Sequence, residues 1–239
     1  MAQGEGSVNP FEFTTGVAIE LSNLCQYSWL HKKCPLHLEM ASTWRVREPK
    51  IISMETVYGV LKTLGKYGYG GKIYFNQYNE PLIDPRLFLF IGKAKDCCPE
   101  SQVIIETNGH YLTRGLAQEL MEAGVNHIVV TLYGDVEARD WPGVTYMDRG
   151  GLDDRLKIYA APYVDRNVPC RAPLGQVVIT RDAEVGLCCM DWKYRHTFGS
   201  LTDGTLEEIL FSSRVRETYN RLSVGDRFLD ICRRCKSHR

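Results

Sequence analysis

The sequence predicts an α/β protein, a partial, shortened (β/α) barrel followed by a small metal-dependent appendage. Three observations lead there. Short β-branched runs alternate with amphipathic stretches through the first half of the 239 residues. The alternation yields four or five βα units, too few for the eight of a closed barrel. Seven of the nine cysteines fall near the two ends of the chain, which suggests two ligand sets rather than one.

Each element has a local reason. Residues 17–21 form a β-branched run that stops at Ser22-Asn23-Leu24-Cys25, a strand feeding a ligand loop. Over residues 52–67, Val57, Val60, Leu61 and Leu64 recur at helical steps until Gly70-Gly71 end the segment. A second strand is expected at 73–75, a helix at 85–96, a third strand at 103–106, a helix at 113–123 and a fourth strand at 127–132. Residues 133–151 read as irregular chain, and 156–163 as a fifth strand. Beyond Cys170 two strands, 176–180 and 185–189, flank the turn Arg181-Asp182-Ala183-Glu184, with one helix over 206–222. The expected division is a barrel over 1–165 and an appendage over 166–239, which is too slight to bury much core without a metal.

Composition narrows the function. Lys plus Arg and Asp plus Glu are 29 each, for a formal net charge of zero, and there is no run of five like charges. The electrostatic footprint of a nucleic-acid or membrane-surface protein is therefore missing. The first residues lack a secretion signal and no segment has the apolar length of a membrane span, so a cytoplasmic location is expected. In that compartment thiols stay reduced, and metal ligation outranks disulfides. Cys97 and Cys98, at the end of a predicted helix, are expected to be small buried hydrophobes.

The distinctive loops all follow the C-terminal ends of strands: 25–37, Tyr78-Asn79-Glu80 and Thr107-Asn108-Gly109. That edge is where parallel α/β folds bind ligands. Cys170, Cys188, Cys232 and Cys235, spaced Cys-x17-Cys and Cys-x2-Cys, suffice to enclose a metal, and by chemistry alone fit zinc as well as an iron–sulfur cluster.

The segment from Glu20 to Cys25, with Cys34-Pro35-Leu36-His37, resembles the cluster loop of radical S-adenosylmethionine (SAM) enzymes. FNQYNEPL at 75–82 resembles the segment with which that family holds the methionyl ammonium of SAM, and IETNGHYL at 105–112 its strand-end Thr-Asn-Gly segment. VVITRDAEVGLCCMD, FGSLTDGTLEEIL and ICRRC resemble the shortened auxiliary-cluster domain, SPASM or Twitch, that follows some of these barrels. In size and cysteine spacing the chain is most similar to the family's aminocyclitol dehydrogenases.

The resemblance implies two [4Fe–4S] clusters, one on Cys25, Cys34 and His37, the other on Cys170, Cys188, Cys232 and Cys235. It implies SAM at Leu36, Tyr78, Asn79, Glu80, Thr107 and Asn108. Three departures accompany it. Eight residues separate the first two cysteines where the family has three, His37 stands at the third cysteine position, and Ala183 stands where the family has glycine. Imidazole is an allowed ligand but raises cluster potentials by hundreds of millivolts in Rieske centres, which makes reductive cleavage of SAM harder. His31 or a non-protein ligand are alternatives to His37.

The implied activity is generation of a 5′-deoxyadenosyl radical that takes hydrogen from a small polar substrate, such as a sugar, aminocyclitol or nucleotide. The auxiliary cluster then takes part in oxidation or epimerisation, and an electron donor such as flavodoxin or ferredoxin supplies the first electron. Two alternatives are sulfur insertion at the expense of the auxiliary cluster, and a non-catalytic, metal-stabilised binding protein. Cys189 is either a spare ligand or a reactive thiol beside the cluster, with a packing or substrate-facing role favoured, and Asp191 and Trp192 are candidates to line the cavity between clusters. Arg171, Arg181 and Arg195 are either phosphate ligands or surface residues, and Tyr74 and Tyr133 either face the mouth or pack.

Overall fold

The computed structural model describes residues 9–28, 34–36, 48–133, 136–148, 154–164 and 167–236. His31 and His37, two of the candidate ligands of the first site, lie outside the described residues. The strands are β1 (Gly16–Ile19), β2 (Lys72–Tyr74), β3 (Gln102–Thr107), β4 (Val125–Leu132), β5 (Val144–Asp148), β6 (Gln176–Ile179), β7 (Glu184–Gly186) and β8 (Thr197–Ser200). The helices are α1 (Met54–Lys66), α2 (Leu87–Cys97), α3 (Arg114–Glu122), α4 (Ala172–Gly175), α5 (Leu206–Leu210), α6 (Ser213–Ser223) and α7 (Asp230–Arg234). The described residues build one eight-stranded sheet in the order β5-β4-β3-β2-β1-β6-β7-β8.

The predicted parallel arrangement holds from β5 across to β6, and the last two strands join antiparallel. β6, expected in the appendage, pairs in parallel with β1, from Gly16 opposite Gln176 to Ile19 opposite Ile179. The sheet therefore runs unbroken across position 165. One face carries the core: Val17, Ile19, Ile73, Phe75, Val103, Ile105, Ile128, Val130, Val177 and Ile179 pack with Val57, Val60, Leu61 and Leu64 of α1 and with Phe90, Ile91 and Leu120 of the other helices. Because side chains alternate along a strand, Glu20, Tyr74, Asn76 and Glu106 fall on the opposite face.

Helix starts follow their caps. The side chains of Ser53, Thr113 and Ser212 accept hydrogen bonds from the backbone N–H of Thr56, Leu116 and Val215. Cys98 caps the end of α2 from within the core, 2% exposed, and its thiol donates to the Leu61 carbonyl at 3.7 Å, in keeping with the expectation for it.

Three expectations are corrected. The irregular stretch 133–151 contains strand β5, whose largely exposed residues show no apolar alternation to betray it. The strand expected at 156–163 is instead a 3-10 helix, Asp154–Ala160, anchored by buried Ile158. The helix expected over 206–222 breaks in two, because Ser212 takes an extended conformation as the cap of α6. Ala183, for its part, enters the left-handed region (φ 61°) and keeps the β6–β7 turn without glycine.

Candidate metal and cofactor site

Glu80 is the hinge of the first site. It follows β2, is 3% exposed, and its backbone N–H donates to the Leu24 carbonyl at 2.9 Å, tying the β2 loop to the Cys25 loop. Its carboxylate accepts from the Thr107 hydroxyl (2.6 Å), the Asn108 amide (2.8 Å) and the Leu82 amide (3.1 Å). Burial raises its pKa, against the pull of those donors. Three strand ends are thereby joined through one residue, its carboxylate holding the β3 end and its backbone N–H the β1 end.

Asn108 then reaches the Cys25 loop. Its side-chain amide lies 3.7 Å from the Cys25 sulfur, and its Oδ1 accepts from Gln26 Nε2 at 2.9 Å. Burial pushes the Cys25 thiol up to about 11, and Cys34 is near enough to act on it in the same direction. Leu36 is 2% exposed beside them. Asn79 braces its own loop, with Nδ2 donating to the Phe75 carbonyl at 3.2 Å and Oδ1 accepting from the Gln77 amide at 3.2 Å. The structure thus gathers Cys25, Cys34, Leu36, Tyr78, Asn79, Glu80, Thr107 and Asn108 at one edge.

Among the described residues, Gln26 Oε1, Asn76 Oδ1 and Gln77 Nε2 are buried there with no hydrogen-bond partner. Buried polar atoms of this kind are ordinarily satisfied by a water, an ion or a ligand. Tyr27, 4% exposed, adds an aromatic wall: its ring meets His110 edge-on at 5.6 Å and Tyr133 at 5.9 Å, so Tyr133 faces the mouth. Sequence reading passed over Gln26, Tyr27 and His110. The available signal was their position, within two residues after Cys25 or Asn108.

The second thiol set comes from three separated segments. Cys170 precedes α4, Cys188 follows β7, and Cys232 and Cys235 bracket the end of α7. Burial pushes the Cys232 thiol up to about 12, with Cys170 and Cys235 adding to it, and raises Cys188, on which Cys189 and Cys232 act. Cys232 thus lies near each of the other three thiols, and all four border one buried group, a donor set whose chemistry suits a soft metal or iron–sulfur cluster whose binding would drive their deprotonation. Among the described residues, no three His, Cys, Asp or Glu side chains close around a point that would hold a single metal ion. Cys25, Cys34, Cys170 and Cys188 all pack against one buried group that includes Leu36, Tyr78, Leu187, Trp192 and Leu222. Both sites therefore border the same interior.

Between them runs a buried polar bridge. Glu20, fully buried near the end of β1, accepts from Arg181 Nη1 at 3.0 Å and from the Tyr194 hydroxyl at 2.8 Å. The Arg181 guanidinium also lies over the Tyr194 ring at 5.7 Å. Arg181 is thus neither a phosphate ligand nor a surface residue: at 8% exposure it neutralises Glu20. The Tyr78 hydroxyl donates to the Cys189 carbonyl at 2.6 Å. Asp191, also fully buried, is a brace: it accepts from the Tyr159 hydroxyl and from the amides of Arg195 (3.1 Å) and His196 (2.8 Å). Glu20, a charge closing an apolar strand, and Tyr194 were missed as a pair, since their partnership spans 174 positions.

Strand-end loops around a cysteine pair, and four further thiols in the segments beside the strands added to the same sheet, point to the class. Residues 170–236 match the SPASM family, described as an iron–sulfur cluster-binding domain, and the chain has the partial-barrel α/β fold seen in radical SAM enzymes. It is similar to the S-adenosyl-L-methionine-dependent 2-deoxy-scyllo-inosamine dehydrogenase of Niallia circulans, 26% identical over 199 residues that cover 74% of this chain and 78% of that protein. Its fold is that of two crystal structures of BtrN. One, in complex with AdoMet and 2-DOIA, gives a TM-score of 0.77 at 24% identity over 94% of this chain and 93% of that one. The other, in an open conformation, gives 0.76 at 22% identity over 94% and 92%. No helix of the described residues is long and apolar enough to cross a membrane.

Proposed function

We propose that the protein is a radical SAM dehydrogenase that oxidises a small polar substrate of the aminocyclitol class. The observation that carries this reading is the shared interior: Cys25 and Cys34 on one side, Cys170 and Cys188 on the other, all against one buried group. A substrate held between them is within reach of both sites. The SAM-dependent dehydrogenase of similar sequence supports the reaction class and the substrate class.

Bound groups would supply a hydrogen-abstracting radical at the first site and a one-electron acceptor at the second. The remaining work belongs to the chain. Cys25, Cys34 and His37 would hold the first cluster, and Cys170, Cys188, Cys232 and Cys235 the second. Glu80 locks the three strand ends, so that Tyr78, Asn79, Thr107, Asn108 and Leu36 can present one surface to SAM. The buried atoms of Gln26, Asn76 and Gln77 offer two acceptors and one donor to cofactor or substrate. Apolar walls of Leu36, Tyr78 and Trp192 exclude water from the reacting centre. The barrel is assigned to residues 1–165 and the cluster appendage to 166–239; a flavodoxin- or ferredoxin-type donor and a cytoplasmic setting complete the reading.

The test is anaerobic reconstitution, with iron and sulfide counted and 5′-deoxyadenosine release from SAM followed under dithionite, for the native chain and for His37→Ala and Cys34→Ala. About eight irons per chain, with deoxyadenosine formation lost in both variants, is the expected result. About four irons or zinc, and no SAM cleavage, would overturn it.

A further inference from the structure

The contact between Tyr78 and Cys189 joins two parts of the molecule with different duties. Tyr78 lies in the β2 loop that holds Glu80, and Cys189 directly follows Cys188. Tyr78 is 7% exposed, so its hydroxyl bond to the Cys189 carbonyl is formed away from bulk water, where it is strong and directional.

The other side of the Tyr78 ring is also fixed. It meets the Tyr194 ring at 6.1 Å, and Tyr194 is held in turn by Glu20, five positions before Cys25. Arg181 closes this arrangement, with its backbone N–H and its guanidinium both on Glu20, at 3.2 and 3.0 Å. The β2 loop, the lead-in to Cys25 and the segment around Cys188 are therefore one packed unit. A packed unit passes on a displacement instead of absorbing it, and any coupling it mediates between two binding events is reciprocal.

We propose that Tyr78 is a positioning residue that couples SAM binding at the Cys25 edge to the geometry of the iron–sulfur cluster held at Cys188. The inference rests on the function proposed above. When SAM enters beside the β2 loop, Tyr78 moves the Cys189 carbonyl, and with it the Cys188 sulfur that follows the same stretch of backbone. The auxiliary cluster thereby senses whether the first site is loaded, although no atom of SAM touches it. Tyr78 takes no part in bond making or breaking.

The test uses the anaerobically reconstituted, dithionite-reduced holoprotein and its electron paramagnetic resonance spectrum with and without SAM. The auxiliary component is identified from a Cys25→Ala/Cys34→Ala variant, which keeps the C-terminal cluster alone. In the native chain SAM is expected to shift the g-values of both components. In Tyr78→Phe the first component still shifts, which shows that SAM binds, and the auxiliary component does not. Tyr194→Phe, which leaves the Tyr78–Cys189 bond intact, keeps the auxiliary shift. An auxiliary component that ignores SAM in the native chain, or that still responds in Tyr78→Phe, or that falls silent in Tyr194→Phe, overturns the assignment to Tyr78. About four irons per chain or no effect of SAM on either component would remove the proposed function and this inference together, and the iron count separates that outcome from the others.

Discussion

The Arg181 guanidinium meets the Glu20 carboxylate at 3.0 Å across 161 positions of sequence, with both side chains withdrawn from water. A buried pair of this kind adds little net stability over apolar residues, but loss of one member strands a charge.

Arg181→Met is therefore expected to cost about 3–5 kcal/mol, read from urea unfolding, and Glu20→Gln/Arg181→Met less than the sum of the single changes. The sign of the pH dependence follows from Glu20. Burial raises its pKa in the folded protein even with Arg181 opposing, so its burden on stability is absent at low pH and grows as pH rises through the folded pKa. Without Arg181 that pKa rises further. The deficit of Arg181→Met should be larger at pH 8 than at pH 5; an equal deficit at both would mean that Glu20 is neutral in the native fold.

Glu80 offers a second test. Its carboxylate faces three donors, so Glu80→Gln turns an amide N–H toward at least one of them. A loss of about 2–3 kcal/mol is expected from leaving that conflict buried. Because the same residue joins three strand ends, SAM affinity should fall with it, by about tenfold or more in equilibrium dialysis of the reconstituted protein. Stability lost with affinity intact would detach Glu80 from the cofactor site.

The two kinds of cysteine should separate cleanly. Cys98→Ala removes a small buried side chain of the helical core, at a cost of about 1 kcal/mol, and leaves the iron content unchanged. Cys235→Ala should lower iron by about four per chain. Iron analysis after anaerobic reconstitution decides each case.

Ala183 holds a left-handed conformation, φ 61°, that costs an L-residue roughly 1–2 kcal/mol. Ala183→Gly relieves it, less the greater freedom that glycine has when unfolded. A gain of about 1 kcal/mol in thermal or urea unfolding is expected, with the iron content unaltered.

Much of the architecture could be read locally. The helices from Met54 and Arg114 announce themselves through apolar spacing and through the caps Ser53 and Thr113, and β1, β3 and β4 through β-branched runs, because such signals act within a few residues. The same holds for the candidate ligands: strand-end placement and cysteine spacing singled out Cys25, Glu80, Asn108 and Cys188 before any contact was known. Local signals failed where structure depends on distant partners. β5 is a strand because β4 offers it a ladder, and residues around Ile158 turn helical because one side chain, not an alternating face, finds the interior.

What the sequence by itself determined, then, was the α/β class, the two sets of thiols and the loops that surround them. Only the tertiary structure decided that β6 to β8 extend the barrel's own sheet, that Arg181 belongs to Glu20, and that Tyr78 reaches Cys189. The physical reason is common to all three. Propensity and spacing are written over a few neighbouring residues, whereas strand order, the neutralisation of a buried charge and a hydrogen bond spanning 111 positions are settled by what the collapsed chain brings together and shields from water.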